Sequence, residues 1–563
     1  MSSRASDSAK QSARRPHWAL RAFFLVAFAC ATWGYWLRLD TYPPWMDFDS
    51  ATLGIFVNNL SFQDRYDHQF NQSPVDQDRY RMYWAAEFLP VSVPLSRVQV
   101  ALGIPPDRVG DYLKAVALVL AILGSAVAAT VASRRGGLGA EDALFVFGLS
   151  SALPAFLLYL RTTVPHFFLS FLMFWAAVLW IDRYLETGSR RSLYALAATL
   201  ALYAQAPYVP MLALPLIGVL LALRRHAAGR VLRDPHLYIA AVSAALLFAA
   251  LQYAVAVTHE PTWTAWNEKA SHFVASRSLR AASVANLSLE KLPDKLTKLV
   301  HQHFYYRRDT LGDQTRNDYL WTLPQPHLVW LALLPLALLG AWRSWRTRDA
   351  TAEVLALVLL CSYALVLTVS FPEGRYLITV VPVYAYFVWA GLRQLLASDS
   401  ARTVALAVVL IATAANSYLL VSGPYNELVA QRWRGMATMR EALGLIRDRY
   451  GKSYGRDRIV HLSWPELRYE AWLYLEMLGN MRVSVFDANE SPDAVAPGEV
   501  LFAAASRADA AAIEAWKAKG FEPVGDVVDP VSSREIELLA REPAPGSARS
   551  REDGALDLRT DEP

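Results

Sequence analysis

Residues 18–50 read WALRAFFLVAFACATWGYWLRLDTYPPWMDFDS, and this stretch sets the expectation for the fold of the whole chain. The apolar run Trp18–Leu37 ends in an aromatic group typical of a membrane–water interface. It is longer than the apolar part of a usual signal peptide, so we expect an uncleaved first transmembrane helix. A cleaved signal peptide is the alternative, because Ala29-Cys30-Ala31 offers small residues. Two carboxylates, Asp47 and Asp49, follow the run closely.

The composition of the 563-residue chain predicts a polytopic membrane protein. Hydrophobic residues make up 54% of the sequence and charged residues 19%, with a mean hydropathy of +0.20. The apolar residues form runs of about 16–20, long enough to cross a hydrocarbon core ~30 Å thick. The net charge of +4 is scattered over short loops, which argues against nucleic-acid binding. Cys30 and Cys361 lie within apolar runs and predict neither a disulfide framework nor a metal framework.

The apolar runs predict about eleven spans, and the arginines predict their orientation. With the N-terminus in the cytoplasm, almost all arginines of the short loops fall on the cytoplasmic side, whereas the short external turns hold only Arg161 and Arg375. The expected spans are Trp18–Leu37, Tyr112–Ala132, Ala143–Leu160, Phe167–Tyr184, Leu193–Ala206, Val209–Leu223, Leu237–Val257, Leu328–Trp342, Ala352–Phe371, Tyr376–Leu396 and Thr403–Val421. The cytoplasmic arginines are Arg134-Arg135, Arg190-Arg191, Arg224, Arg225, Arg230, Arg233, Arg343, Arg346, Arg348, Arg393 and Arg402.

This orientation divides the chain into a membrane part and an external C-terminal part. Residues 1–17 form a cytoplasmic tail, and 18–422 form a transmembrane domain with long external loops at 38–111 and 258–327. Residues 423–542 form a small α/β domain on the outer side, and 543–563 have the composition of a disordered tail. The expected elements after an amphipathic helix at Asn426–Tyr450 are strands at Arg458–Leu462, Arg482–Phe486, Glu499–Ala504, Val524–Val528 and Glu535–Leu539, with helices at Glu466–Leu478 and Asp509–Lys519.

The pair Asp47 and Asp49 is the first candidate for chemistry. Two carboxylates two residues apart can share a divalent metal ion, or one can act as a base while the other positions it. The pair lies behind Pro43-Pro44-Trp45 and before Ser50–Phe56, which has the pattern of an amphipathic helix at the membrane surface. A structural alternative is that Asp49 caps this helix and Asp47 is solvated.

These residues resemble the membrane glycosyltransferases of the GT-C fold. That family includes protein mannosyltransferases, aminoarabinose transferases of lipid A and oligosaccharyltransferases, which carry an acidic pair directly after the first span. The turn Pro372-Glu373-Gly374-Arg375-Tyr376-Leu377 is similar to the Arg-Tyr that precedes a late proline-containing span in many of them. The chain looks like a bacterial member of the dolichyl-phosphate-mannose-protein mannosyltransferase-like group. The resemblance covers about Trp18–Val421, with Asp-Phe-Asp where the mannosyltransferase branch has Asp-Glu.

The resemblance implies transfer of a sugar from a polyprenyl-phosphate carrier at the outer face of the bacterial inner membrane. The acceptor is a glycan, a lipid or a protein; membrane lipids are the other partners, and nucleic acid is not one. We expect inversion, with Asp47 as general base and Asp49 positioning the acceptor or a divalent ion. A transporter or flippase for lipid-linked sugars, or a non-catalytic scaffold with a binding α/β domain, is the alternative.

Further residues at external span ends are candidates for substrate binding. Arg375 and Arg161 can neutralise a donor phosphate, since an unpaired guanidinium near hydrocarbon is costly. A salt bridge or snorkelling to water is the structural alternative for Arg375. Tyr376 belongs to the same motif as Arg375, and the remaining possible substrate contacts are His166, His259, Glu260 and Glu87.

Overall fold

The computed structural model shows a predominantly helical protein with a small C-terminal sheet. Contacts divide the chain into two units: the first comprises Met1–Ser50, Met82–Val98 and Gly110–Val429, and the second comprises Ala51–Arg81, Gln99–Val109 and Ala430–Pro563. The described residues are 17–36, 48–62, 91–134, 139–153, 156–157, 165–204, 213–259, 290, 292–293, 295–296, 305–306, 325–326, 328–368, 378–422, 438–451, 459–464, 475, 482–485, 500–528 and 534–542. The two predicted tails, 1–17 and 543–563, therefore lie outside the described residues apart from His17.

Each of the predicted apolar runs contains a helix. A short antiparallel pair, β1 (Tyr305–Tyr306) and β2 (Gln325–Pro326), and a 3₁₀ turn at Pro106–Arg108 accompany the helices. The helices are α1 (His17–Ala31), α2 (Trp33–Trp36), α3 (Phe48–Phe62), α4 (91–101), α5 (Val109–Ser133), α6 (Ala140–Ala152), α7 (Pro165–Thr187), α8 (Arg190–Tyr203), α9 (Ala213–Arg224), α10 (Ala228–Arg233), α11 (Pro235–His259), α12 (Leu328–Thr347), α13 (Ala350–Thr368), α14 (Val381–Leu395) and α15 (Asp399–Ser422).

Five helices in the described part of the chain are long and apolar enough to cross a membrane. They are Pro106–Ser133, Phe167–Thr187, Leu328–Thr347, Ala350–Thr368 and Asp399–Leu419. Shorter apolar helices occur at Trp18–Ala31, Leu53–Phe62, Ala213–Arg224 and Pro235–Leu251. The polytopic helical class is therefore confirmed, while the count of eleven spans stays a prediction.

The first apolar run forms an integral helix of the bundle. Phe24 and Ala27 of α1 are fully buried, and the chain turns at Thr32 before α2 begins. The rings of Trp33 and Tyr418 meet edge to face, with centroids 5.5 Å apart. This ring contact packs the end of the run against α15, and whether the run is an uncleaved first span stays a prediction.

Ion pairs bring arginine-bearing helix ends together. Asp182 near the end of α7 pairs with Arg134 after α5 and with Arg225 after α9, each at 2.8 Å. Arg224 pairs with Glu353 in the first turn of α13, also at 2.8 Å. All three arginines belong to loops that the charge pattern assigns to one side. We call this end of the first unit the arginine end.

A second set of contacts joins helix termini at the opposite end of the first unit. The hydroxyl of Ser151 in α6 donates to the Tyr35 hydroxyl of α2 at 3.0 Å. The hydroxyl of Ser417 in α15 donates to the Ala152 carbonyl at 2.6 Å. Among the described residues, the helices therefore run between one end joined by ion pairs and another where hydroxyl groups form hydrogen bonds.

Two glycines allow α12 and α14 to cross backbone to backbone. A Cβ atom on Gly340 would lie 2.0 Å from the Phe387 carbonyl oxygen, and one on Gly391 would lie 2.2 Å from the Leu336 carbonyl oxygen. Small residues at such crossings permit close packing inside a membrane. This crossing fixes α14, the helix that follows the Arg375-Tyr376 turn in the sequence.

The C-terminal part forms the α/β domain that the sequence predicts. The sheet contains β3 (Ile459–Ser463), β4 (Arg482–Val485), β5 (Val500–Ser506), β6 (Glu522–Val528) and β7 (Glu535–Arg541), in the order β4-β3-β5-β7-β6. Strands β4, β3 and β5 are parallel, while β7 runs antiparallel to β5 and β6.

Two helices accompany this sheet, α16 (438–450) and α17 (Ala510–Ala518). The Asp509 side chain accepts from the Ala512 amide and caps α17, as its predicted position at a helix start favours. The backbone amide of Val528 in β6 donates to Glu441 of α16 at 3.1 Å, and the rings of Tyr450 and Phe502 meet at 5.5 Å. The described half of the predicted amphipathic helix thus packs on the sheet.

Replacing Gly340 by Ala should destabilise the protein by about 3 kcal/mol or more, because the new methyl group meets backbone that cannot rotate away. Thermal unfolding in detergent micelles measures the change. Gly218→Ala in α9 is the matched control, since its Cβ would lie 3.9 Å from Ile181, an ordinary contact. We expect the control variant to keep its stability or to gain up to ~1 kcal/mol from helix propensity. Equal losses of stability in the two variants would contradict the backbone crossing.

Replacing Asp182 by Asn should cost about 3 kcal/mol, because two partly buried guanidinium groups then lose their shared carboxylate. The Asp182 side chain is only 4% exposed, whereas that of Asp399, which pairs with Arg402, is 83% exposed. Asp399→Asn is therefore the control and should change stability by less than ~0.5 kcal/mol. Chemical unfolding measures the stability of both variants. Similar losses of stability would show that the cost does not come from burial of the ion pair.

Candidate functional site

Three of the predicted site residues lie at the ends of described helices. Asp49 is the second residue of α3, His166 is the second residue of α7, and His259 is the last residue of α11. The backbones of these three residues are described, but their side chains are not. The residues that lie outside the described part are Asp47, Arg161, Arg375, Tyr376, Glu260 and Glu87.

The helices that flank several of these residues start or finish away from the arginine end. Asp234, directly before α11, accepts a hydrogen bond from Tyr184 at 2.7 Å, which lowers the pKa of the Asp234 carboxyl. Helix α11 therefore begins at the arginine end, and its 25 residues extend about 37 Å. His259 consequently lies at the opposite end of the first unit.

The same argument places the start of α7 at the opposite end of the first unit. Its last turns carry Asp182 at the arginine end, so its first residues, which include His166, lie at the other end. In α14, the Tyr386 hydroxyl donates to Asp349 at 2.9 Å, and Asp349 directly precedes α13 near Glu353. The Tyr384 hydroxyl of α14 donates to the Trp330 carbonyl in the first turn of α12 at 2.9 Å, and the last turn of α12 lies at the arginine end, where Trp345 meets Arg224. The start of α14, five residues after Tyr376 in the sequence, therefore also faces away from the arginine end.

Helix α3, which begins beside the Asp pair, is buried all round. Each residue from Leu53 to Leu60 is buried, including Asn58 and Asn59. The sequence interpretation of an amphipathic helix at the membrane surface is therefore wrong, although the helix itself is present. The apolar residues occupy every face of the helix, and such a helix is stable only when other protein elements surround it.

A buried polar cluster holds α3 in place. The Gln99 side-chain amide donates to Asn58 Oδ1 at 2.9 Å and to the Ile104 carbonyl at 3.3 Å. The Ser61 hydroxyl donates to Gln99 Oε1 at 2.7 Å, and Asn58 Nδ2 donates to the Pro106 carbonyl at 3.1 Å. All of these residues belong to the second unit. The cluster fixes the helix whose first turn carries Asp49.

Two buried lysines, neither of them among the predicted site residues, add positive charge. Lys114 lies in the second turn of α5, and Lys295 donates to the Leu367 carbonyl at 2.9 Å in the last turn of α13. Because Arg134 directly follows the last residue of α5, the first turns of this helix lie at the opposite end. Lys114 falls inside a predicted span, and an ionisable group within a span is a recognised signal of function that could have revealed it.

The structure describes no metal-binding cluster in the residues it covers. Within them, no three His, Cys, Asp or Glu side chains are grouped so that they could hold a metal ion. The carboxylates of Asp47 and Asp49 are not among the described side chains, so the divalent metal ion stays a prediction.

Comparisons with known proteins find similarity in structure and not in sequence. No protein-family model matches the sequence, and no curated protein matches it. The crystal structure of ArnT from Cupriavidus metallidurans in the apo state aligns with 93% of this chain and 98% of its own, with a TM-score of 0.53 and 12% identity. The structure of the same enzyme bound to undecaprenyl phosphate aligns with 95% of this chain and 99% of its own, with a TM-score of 0.54 and 13% identity.

The chain has the fold of ArnT. ArnT is an aminoarabinose transferase and a GT-C membrane glycosyltransferase, so the resemblance inferred from the acidic pair and the Arg-Tyr turn is confirmed at the level of the fold. The coverage of both chains shows that the similarity to ArnT includes the C-terminal part as well as the helical bundle.

Replacing Gln99 by Leu should destabilise the protein by about 2 kcal/mol, because it leaves buried Asn58 and Ser61 groups without these partners. Gln394→Leu in the last turn of α14 is the matched control, since Gln394 is only partly buried and should tolerate the change. Hydrogen exchange in α3 together with thermal unfolding measures the effect. Equal protection of α3 amides in the variant and the parent protein would contradict a role for the cluster in holding this helix.

Proposed function

We propose that the protein is a membrane glycosyltransferase that moves a sugar from a polyprenyl-phosphate donor to an acceptor. The observation that carries the proposal is the ArnT-like fold over nearly the whole chain, in a sequence with a carboxylate pair after its first helix. The undecaprenyl phosphate bound to ArnT supports the same class of lipid carrier here. The sugar is a pentose or a hexose, and the acceptor is a glycan, a lipid or a protein.

The proposed reaction is one displacement at the anomeric carbon. Asp47 removes the proton from the acceptor hydroxyl as its oxygen attacks the anomeric carbon. The bond between that carbon and the phosphate oxygen breaks, and its electron pair leaves with the polyprenyl phosphate. A single displacement inverts the configuration of the sugar. Asp49 orients the acceptor or a divalent ion, and the first turn of a rigidly held α3 suits that role.

Positive charge at the same end would stabilise the leaving phosphate. Arg375 and Arg161 are the arginines that the sequence places there, and guanidinium groups bind phosphate oxygens in pairs. Lys114 and Lys295 are buried cations of the described structure near that end. Electrostatic stabilisation of a developing phosphate charge is strongest where water is excluded.

The proposed location of the reaction is the outer face of the bacterial inner membrane. The positive-inside pattern places the arginine end in the cytoplasm, so the end with His166 and His259 faces outward. The tail of the donor lies in lipid, and its phosphate and sugar then lie at this surface. His166, His259, Glu260, Glu87 and Tyr376 are the further proposed substrate contacts.

Replacing Asp47 by Asn should reduce transfer about 10²- to 10⁴-fold, because the acceptor hydroxyl loses its base. The assay incubates membranes with a panel of undecaprenyl-phosphate-linked pentoses and hexoses and follows the initial rate of undecaprenyl phosphate release. Protein abundance is measured by immunoblot in the same membranes.

Asp399→Asn, at the arginine end, is the control and should leave the rate unchanged. If the parent protein released no carrier phosphate from any donor, or if Asp47→Asn kept the full rate, the proposed chemistry would be wrong. Movement of the intact lipid across the bilayer without cleavage would instead identify a flippase.

A further inference from the structure

Two arginine–tryptophan pairs form an exposed surface at the arginine end of α9 and α12. The Arg346 guanidinium carbon lies 4.4 Å from the centroid of the Trp342 ring, and that of Arg224 lies 5.9 Å from the Trp345 ring. Both rings are exposed at the protein surface, Trp342 by 53% and Trp345 by 70%. We call these four residues, with Arg343 and Arg348, the Arg–Trp surface.

The charge of the Arg–Trp surface is strongly positive. Arg343, Arg346 and Arg348 are all exposed and follow one another within six residues. Among the described residues, Glu353 is the carboxylate that pairs with this surface, through Arg224 at 2.8 Å. Asp349 is engaged elsewhere, because it accepts from Tyr386 and from the Thr351 amide. The Arg–Trp surface therefore carries more guanidinium groups than carboxylates pair with, and it has an excess of positive charge.

The Arg–Trp surface continues a lipid-facing stripe of α12. Leu338, Trp342 and Trp345 are three or four residues apart, so they share one face of the helix, and Leu338 is 61% exposed. Helix α12 is one of the five helices able to cross a membrane. An exposed apolar stripe on such a helix lies against hydrocarbon, and tryptophans near its end lie at the level of the headgroups.

We propose that the Arg–Trp surface binds the headgroup of an anionic phospholipid. The indole rings rest at the membrane interface and hold the guanidinium planes by cation–π contact, while the guanidinium N–H groups donate to the lipid phosphate. The excess of positive charge favours an anionic lipid over a zwitterionic one. A soluble protein partner fits less well, because the aromatic residues continue into a stripe that faces the bilayer.

The test compares the purified full-length protein in nanodiscs of phosphatidylcholine with and without phosphatidylglycerol. Native mass spectrometry counts the retained lipids, and the unfolding temperature is measured in parallel. We expect phosphatidylglycerol to be retained preferentially and to raise the unfolding temperature. Replacing Arg343, Arg346 and Arg348 together by Gln should reduce the preference by about fivefold for each arginine removed.

The matched control replaces Arg190, Arg191 and Arg233 by Gln, which removes the same charge at the same end of the first unit from exposed positions. The control should keep the preference for phosphatidylglycerol. An equal loss in both triple variants would mean that net charge alone attracts the lipid, and no preference in the parent protein would also overturn the proposal.

Arg346→Lys tests the geometry without changing the charge. Lysine cannot stack as a plane on Trp342 or donate in pairs, so the variant should lose part of the preference while the protein elutes as the parent does. Full preference in Arg346→Lys would contradict the stacked arrangement. If the triple variant does not fold, Arg346→Lys still tests whether the Arg–Trp surface binds the anionic lipid.

Discussion

The structure depends on the constraint that charge near hydrocarbon must be neutralised or removed from the lipid. Asp182 shares its carboxylate between Arg134 and Arg225, and these pairs draw the ends of α5, α7 and α9 together. The cost of desolvating three charges is offset because each retains a partner at hydrogen-bond distance. The positions of these helix ends determine which helix termini lie at the other end of the first unit, where the described contacts include the hydroxyl hydrogen bond from Ser151 to Tyr35.

This asymmetry gives the two ends different chemical capacities. The arginine end has stacked and paired guanidinium groups suited to a headgroup region. The opposite end has buried lysines and the helix termini that carry His166 and His259. The lipid-linked donor that we propose would use such an arrangement, because its tail stays in hydrocarbon while its phosphate meets cations at the surface.

Much of the fold could be predicted from local patterns. The apolar runs located the helices, and the strands of the C-terminal domain were predicted within about two residues, as at Arg458–Leu462 for β3 and Arg482–Phe486 for β4. A helix was also predicted at Ser50–Phe56, but its predicted environment was wrong. A short apolar sequence has the same pattern whether the helix lies against lipid or inside the protein. Lys295 was missed because its importance comes from Leu367, a residue distant in the sequence. Roles for Asp47, Asp49, Arg375 and the other predicted site residues stay predictions.

The sequence by itself determined the membrane class, the helical segments, the charge asymmetry and the α/β character of the C-terminal part. These properties depend on apolar run length, on arginine position and on the alternation of short segments, all of which are local. Only the tertiary structure decided that α12 and α14 cross at Gly340 and Gly391, that Gln99 holds α3 through Asn58, and that Trp342 and Trp345 support arginines. Each of these contacts joins residues through space, and a hydrogen bond, a ring stack or a backbone crossing leaves no periodic signal along the chain.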